Sequence, residues 1–201
     1  MRALRTVGFI FLSLILMMGV YIAYFQINPE IRVGEYILSL NIQTLEQLEE
    51  ESDLILLARM KGSAQSLSER FEALFTSDIS KVFSLYEVVE TYQGEAPSST
   101  IKVLEPYDVS INEYLQKVVT SMEGYRPSKR GSLYLLFLRM DSDEFYVLTG
   151  GHQGRYPVND SVIERVREGL MVTGEDLEIG DRALKANYLN LYKSAIEKYI
   201  D

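Results

Sequence analysis

The sequence predicts a mainly β (α+β) fold, in which one N-terminal transmembrane helix precedes a small antiparallel β-barrel with peripheral helices and a C-terminal amphipathic helix. Three observations carry this prediction. The chain of 201 residues opens with a long apolar run that contains no charge. Several runs rich in β-branched and aromatic residues follow, with turn residues between them. The C-terminal segment repeats apolar positions at spacings of three and four, the period of an amphipathic helix.

The N-terminal run, residues 6–25, has no charged side chain, and Arg2 and Arg5 lie just before it. At about 1.5 Å per residue, such a helix spans the roughly 30 Å core of a bilayer. The positive-inside rule keeps the arginines cytoplasmic, and Tyr21 and Tyr24 suit the far interface. The alternative is a cleaved signal peptide, but cleavage after Ala23 or Gly19 would place Tyr21 or Met17 at position −3, where a small residue is needed. This run predicts a single-pass membrane protein with a cytoplasmic N-terminus and an extracytoplasmic C-terminal domain.

The charge and the amino-acid composition exclude several classes of function. The formal charge is −9, from 20 basic and 29 acidic residues. Arg2 and Arg5 are the only charges in residues 1–25, so 18 basic and 29 acidic residues remain, a charge of −11. An acidic surface repels nucleic acid, which we exclude as a partner. The absence of cysteine excludes disulfides, thiol catalysis and zinc–thiolate sites, and is typical of exported proteins of Gram-positive bacteria.

Four segments follow from these patterns: a cytoplasmic stub and anchor (1–25), a juxtamembrane connector (26–52), a barrel domain (53–158) and a C-terminal helical segment (159–201). The connector has an apolar patch at 36–40, which fits either a linker or a first strand. Thr44 with Gln47 three residues later forms a capping box, which predicts a short helix.

The barrel domain contains strand-like runs at 53–62, 82–94, 100–106, 132–140 and 144–151. Pro106 is expected to stop the third, since proline donates no hydrogen bond to a sheet. The last two form a hairpin through the turn at 141–143. Two stretches stay open: 66–80 fits a helix or a long loop, and 111–127 fits a helix or a strand.

Two helices are expected in the C-terminal segment. Residues 161–171 form the first, with Asp160 or Ser161 as its N-cap. Residues 181–200 form the second, with Asp181 as its N-cap. Its apolar stripe consists of Leu184, Tyr188, Leu191, Ala195 and Tyr199.

Within the barrel segment, four local patterns occur in order: an aspartate, apolar run and glycine at 53–62, the turn at 93–94, the strand 134–138, and the glycine-rich segment 150–154. In this order, over about residues 52–158, the chain resembles exported bacterial domains related to netrin-like modules and tissue inhibitors of metalloproteinases. The resemblance implies an OB-like β-barrel and an extracytoplasmic binding role. The animal inhibitors chelate zinc through an N-terminal cysteine, which this chain lacks, so inhibition is not implied.

Catalytic and metal chemistry find little support. His152, the only histidine, can be a general base or pH sensor, but a loop residue among glycines that supply positive φ angles is the favoured interpretation. The same turn offers backbone N–H groups and Arg155 to an anion, without the order of a phosphate-binding loop. Asp141, Asp143 and Glu144 lack calcium-loop spacing and fit a solvated hairpin tip. No nucleophile elbow is present, and we expect no metal, no cofactor and no enzyme activity.

The preferred function is therefore a binding module for a protein or cell-envelope component. Its expected face is the segment 150–156 with basic neighbours, which gives as candidate binding residues Arg126, Lys129, Arg130, His152, Arg155 and Tyr156. One alternative is a structural partner of another membrane protein, which would pair through the stripe of the C-terminal helix. A second alternative is an exported hydrolase with an acid pair or His152 in a pocket.

Overall fold

A computed structural model describes residues 2–27, 30–34, 42–64, 80–112, 114, 116–122, 124–142, 144–180 and 186–200. Four α-helices lie in these ranges: α1 (Arg2–Ile27), α2 (Leu45–Glu50), α3 (Asp160–Arg167) and α4 (Ala186–Tyr199). Eight strands accompany them: β1 (Glu30–Gly34), β2 (Leu54–Ser63), β3 (Ser80–Gln93), β4 (Thr100–Ile111), β5 (Lys117–Met122), β6 (Leu133–Ser142), β7 (Phe145–Leu148) and β8 (Arg155–Val158). A 3₁₀-helix, Gly151–Gly154, joins β7 to β8.

The strands form one eight-stranded sheet. Seven lie along the path β1-β5-β4-β3-β2-β6-β7, and β8 pairs with β6 beside β7. Most neighbours are antiparallel, but β1 and β5 are parallel. A second parallel contact pairs Val103 and Leu104 of β4 with Tyr146 and Val147 of β7, so the sheet curls back on itself.

The predicted closed OB-like barrel is wrong. The fold is mixed α/β, rich in strands as an OB-like domain would be, but built on one curled sheet with β1 and β5 continuing beyond β4. Sequence patterns mark where strands occur and which faces are apolar, but they do not fix which strands become neighbours. The parallel β1–β5 pair, formed by residues far apart in the chain, has no local signal.

The predicted membrane anchor is also wrong. A helix does form at the N-terminus, but no helix among the described residues combines the length and apolar character that crossing a membrane requires. The roles predicted for Arg2, Arg5, Tyr21 and Tyr24, and the single-pass location built on them, are therefore corrected.

Strand β6 is the centre of the fold, as its apolar sequence predicts. Its residues pair with β2 on one side and with β7 and β8 on the other. Leu135 and Phe137 belong to one apolar cluster, whereas Leu136 and Leu138 belong to another. A strand buried on both faces needs apolar residues at consecutive positions, which explains why β6 lacks the alternation of a half-exposed strand.

Strand β4 continues through Pro106, where the sequence predicted its end. The β3–β4 register shifts at this point: Glu105 pairs with Val82, and Asp108 pairs with Lys81, so Pro106 lies between the paired positions. Proline is tolerated at such a bulge because no N–H is needed there. Within the ambiguous stretch 111–127, residues 117–122 form the strand β5. The patch 36–40, the stretch 66–79 and the expected cap Asp181 lie outside the described residues.

The helix caps follow local chemistry. The Thr44 hydroxyl accepts a hydrogen bond of 3.2 Å from the N–H of Gln47, as the capping box predicts. Helix α3 begins one residue earlier than expected, because its N-cap is Asn159, whose side chain accepts from the N–H of Ser161. Asp160 and Ser161 are therefore the first two residues of the helix rather than its cap.

Helices α2, α3 and α4 cover one face of the sheet and complete its larger core cluster. The described members of the predicted stripe of α4 face this core: Tyr188, Leu191 and Ala195 are buried, and Tyr199 is half-buried. The helical segment after residue 159 thus shares a core with the strands. This apolar stripe is used inside the domain.

Candidate functional site

The most unusual group in the domain is Arg155, the first residue of β8, which is only 1% exposed. One of its terminal nitrogens, Nη1, donates to the Ser128 hydroxyl at 2.5 Å, and the other, Nη2, donates to the Glu178 carbonyl at 2.9 Å. The guanidinium carbon lies 4.1 Å from the ring centre of Tyr125 and 5.1 Å from that of Tyr134. Cation–π contacts and hydrogen bonds to oxygen together compensate for the lost hydration of this charge.

A buried carboxylate balances this arginine. Glu105, from β4, accepts hydrogen bonds from the hydroxyls of Tyr86 at 2.8 Å and Tyr125 at 3.0 Å. It also accepts from the N–H of Ser128 at 3.2 Å. Ser128 therefore contacts both charges, since its hydroxyl accepts from Arg155 and its N–H donates to Glu105. We call Arg155, Glu105, Ser128 and the tyrosines around them the buried polar cluster.

Burial and neighbouring charges shift the pKa values of the tyrosines and the arginine in this cluster. Burial raises the pKa of Tyr86 and Tyr125 well above the usual tyrosine value, and the Glu105 carboxylate adds to the shift in both. Burial alone lowers the pKa of Arg155, but Tyr125, Glu105, Tyr86 and Tyr134 together raise it by more. Near neutral pH these tyrosines stay protonated hydrogen-bond donors and the arginine stays charged. In these states the tyrosine hydroxyls and the guanidinium act as the hydrogen-bond donors that hold the cluster together.

Glu178 links this cluster to the surface. Its backbone φ of 53° is the one positive value among the described non-glycine residues. This conformation directs its carbonyl to Arg155, while its carboxylate accepts from the Tyr134 hydroxyl at 2.5 Å. The other carboxylate oxygen lies 3.2 Å from the Lys129 ammonium, whose side chain is 65% exposed. One residue thus connects the buried arginine to an exposed lysine.

Lys129 and Glu178 lie in the wall of an open cleft of about 560 Å³. Strand β2, the turn before β6, the end of β8, the start of α3 and the loop 173–179 all contribute to it. Leu133 and Val158, both half-buried, supply apolar surface, and Ser132 and Asn159 supply polar groups. The cleft is mostly polar, unlike the largely apolar pockets that enclose small ligands.

Six charged side chains line the cleft. Four of them form two ion pairs: Lys129 with Glu178 at 3.2 Å, and Arg165 with Asp176 at 2.6 Å. The remaining two are Arg59 and Glu175, which are exposed and form no ion pair within the described part of the chain. The cleft therefore presents one available cation and one available anion.

The structure separates the six residues that the sequence nominated. Lys129 lines the cleft, Arg130 is exposed beside it and Arg126 is half-buried. Arg155 and Tyr156 are buried. Arg155 holds the cleft residue Glu178 from inside the domain. Tyr156 packs in the larger core cluster, and its hydroxyl has no hydrogen-bond partner among the described residues.

His152 lies in the 3₁₀-helix, half-buried, with its ring stacked on Tyr188 at 5.8 Å between centres. The glycines before it, Gly150 and Gly151, have φ values of 61° and 64°. Their conformation agrees with the interpretation of this segment as a tight turn that needs glycine. His152 is not among the residues that line the cleft.

Sequence reasoning missed Glu105, Glu178 and Arg59. Glu105 precedes a proline in a strand, and a buried carboxylate there carries no local signature. Glu178 follows an ordinary acidic loop. The one available signal for Arg59 was its place in an apolar run, because a charge within a strand of a sheet faces solvent at an open position.

Other features of the described residues give weaker candidates. A smaller groove of about 320 Å³ lies between α3 and α4, next to Tyr192 and Lys193. No three histidine, aspartate or glutamate side chains come together to hold a metal ion anywhere in the described ranges. The resemblance to netrin-like domains stays a prediction. No protein-family model matches this chain, and neither does any curated protein or any solved structure.

Proposed function

We propose that this protein is a non-catalytic protein-binding module and that the cleft beside the buried polar cluster is its binding surface. The observation that carries this proposal is that Arg59 and Glu175 are exposed and form no ion pair with any described residue, in a cleft whose other four charges are paired with one another. Charges left available beside a fixed framework suit recognition of a partner more than chemistry on a substrate.

The buried polar cluster supports the non-catalytic part of the proposal. The two groups with the most unusual environments are Arg155 and Glu105. Both are buried, and both form hydrogen bonds with neighbouring side chains and main chain. A general acid or base must reach its substrate within hydrogen-bond distance. Neither group is accessible for that role, and the raised pKa values of the surrounding tyrosines keep their protons in place.

The shape of the cleft supports a protein partner. It is open, mostly polar and built from four separate stretches of the chain, which include part of strand β2 and a hydrogen-bonded loop. Protein interfaces combine a partly apolar centre with a polar, charged rim, which matches the half-buried Leu133 and Val158 among charged neighbours.

The alternative surface, the stripe of α4, is less suitable. Tyr188, Leu191 and Ala195 are buried against the sheet of the same chain, so they are not free to pair with another protein. Removing α4 from its place would expose this core. The helix therefore completes the domain, and the cleft is the better candidate for partner contact.

Site-specific photo-crosslinking of the full chain tests the proposal. A photoreactive amino acid replaces Ser161, an exposed residue that lines the cleft, or Val89, an exposed residue of β3 outside it, as the matched control. We expect a discrete protein adduct in the producing cells from position 161 alone. That adduct should disappear when Arg59→Glu and Glu175→Lys are added. Equal adducts at both positions, or none at 161, would refute the proposal.

A further inference from the structure

We infer that the partner of the cleft is an extended polypeptide segment that carries both an acidic and a basic side chain, the acid opposite Arg59 and the base opposite Glu175. This inference rests on the proposed function, because it names the chemistry that the same cleft recognises. It follows from the two free charges, from the neutral balance of the remaining four, and from the apolar surface between charged elements.

Arg59 is prepared to receive a carboxylate. Its Nη1 donates to the carbonyl of Gly131 at 2.9 Å, which fixes the guanidinium at the cleft instead of leaving it free in solvent. A guanidinium has five N–H donors, so this contact leaves others available. Arginine binds carboxylates through two parallel hydrogen bonds, and an orientation set in advance lowers the entropic cost of forming them.

Glu175 is held in a similarly fixed loop. The carboxylate of the next residue, Asp176, accepts from the N–H of Thr173 at 2.8 Å and from its hydroxyl at 2.9 Å. The N–H of Ile179 donates to the carbonyl of Gly174 at 2.7 Å. Arg165 of α3 holds the same Asp176 at 2.6 Å. The loop is thus tied at several points while the exposed Glu175 carboxylate remains available to a cation.

The balance of charge decides between classes of ligand. A simple anion would gain from Arg59 but would be repelled by Glu175, and a simple cation would meet the reverse. Because the pairs Lys129–Glu178 and Arg165–Asp176 are closed, they add no net charge that would favour either sign. A ligand with both signs satisfies both free groups, and like charges placed together weaken the wrong partners.

A polypeptide can present an acidic side chain, a basic side chain and apolar and main-chain groups to the cleft at the same time. Leu133 and Val158 offer apolar contact for a side chain, and Ser132 and Asn159 provide polar groups suited to main-chain N–H and carbonyl groups. An exposed ion pair strengthens binding by only about two- to fivefold. The full affinity of a natural partner therefore needs a larger surface around the cleft, and a short peptide reports the charge preference alone.

The test is an NMR titration of the full chain with three blocked peptides. The first contains Asp-Leu-Lys between glycines, the second replaces Lys with Gln, and the third replaces Asp with Asn. We expect the mixed peptide to bind about threefold more tightly than either single-charge peptide, with the largest shifts at Gly131, Ser132 and Ser161. Raising the salt concentration should remove this advantage.

Two variants test which charge of the cleft binds which charge of the peptide. Arg59→Gln should abolish the advantage of the mixed peptide over the Lys-only peptide, and Glu175→Gln should abolish its advantage over the Asp-only peptide. Lys61→Gln is the matched control, because Lys61 lies on the same strand, pairs with Glu87 at 3.2 Å and does not line the cleft. It should leave all three affinities unchanged.

The outcomes separate this inference from the function on which it rests. Equal binding of all three peptides at the cleft would overturn the dual-charge inference and leave the binding module intact. Tightest binding of a single-charge peptide would do the same. If no peptide perturbs cleft resonances and position 161 also gives no crosslink, the proposed function and the inference both fail.

Discussion

The hydroxyl of Tyr192 donates a hydrogen bond of 3.0 Å to the carbonyl of Pro157 in β8. Two residues earlier in the strand, the carbonyl of Arg155 accepts from Tyr188 at 2.9 Å. Carbonyls two residues apart point to the same side of a strand. Helix α4 therefore satisfies the outer edge of β8 with tyrosine hydroxyls, and Pro157 has no N–H to leave unpaired there. An edge closed in this way cannot recruit another strand.

We first predict how much the hydrogen bond between Tyr192 and Pro157 contributes to the free energy of unfolding. Tyr192→Phe keeps the ring but leaves a buried carbonyl without its donor, and should lower the free energy of unfolding by about 1–2 kcal/mol. Chemical denaturation of the full chain measures the change. Tyr114→Phe, at a 63% exposed position, is the matched control and should change stability by less than about 0.5 kcal/mol. Equal stability of the Tyr192 variant and the parent would show that the hydroxyl contributes nothing.

Replacing Arg155 should be far more damaging. Arg155→Met removes the charge that balances Glu105 and the donor to the Glu178 carbonyl. We expect a loss of about 3–5 kcal/mol, as for other broken buried ion networks. Adding Glu105→Gln should restore part of this loss, because the uncompensated carboxylate is then absent. A double variant less stable than Arg155→Met alone would contradict the assignment of Glu105 as the balancing charge.

We predict that the stability contributed by Asp176 is lost in acid. The hydrogen bond from Arg165, followed by that from the N–H of Thr173, lowers the pKa of Asp176 from 3.8 to about 2. Because the folded value lies below the ordinary one, the stabilising contribution is complete above about pH 4 and is lost as the pH falls towards 2. Thermal unfolding midpoints measured from pH 6 to pH 2 test this prediction. The difference between parent and Asp176→Asn should shrink over that window, and a constant difference would count against it.

Gly154 has no room for a side chain. A Cβ atom there would lie 2.5 Å from the carbonyl oxygen of Thr149 and 2.8 Å from that of Phe137, which are both backbone atoms. Gly154→Ala should therefore destabilise the domain by about 3 kcal/mol. Gly19→Ala is the control, since nothing lies within 4 Å of a Cβ at that helical position. Similar denaturation midpoints for the two variants would show that the turn can relax.

The sequence predicted what local patterns determine. The apolar run of β6, the capping box at Thr44 and the turn glycines at 150 and 151 all follow from chemistry within a few residues. The strand pairings depend on contacts across the sheet, so neither the parallel β1–β5 pair nor the continuation of β4 through Pro106 could be read locally.

In the candidate site, too, local sequence predicted some residues, while the roles of others depend on the fold. Lys129 lies in a basic turn that stands out in an acidic chain, and the structure places it at the cleft. Arg155 was also singled out, but its burial among tyrosines depends on β3, β4 and the segment 125–128, which are distant in sequence. Arg59 and Glu175 line the same cleft only because the fold places β2 and the loop 173–179 around it.

The contact between the two ends of the folded domain affects how the protein is made. Glu49 in α2 accepts hydrogen bonds from Lys198 and from the hydroxyl of Tyr199, each at 2.8 Å, across about 150 positions of the chain. A ribosome therefore releases α2 and the strands well before α4 can cover them. During that interval the apolar face of the sheet is open to other nascent chains, so a translating cell must shield it until residue 199 has emerged.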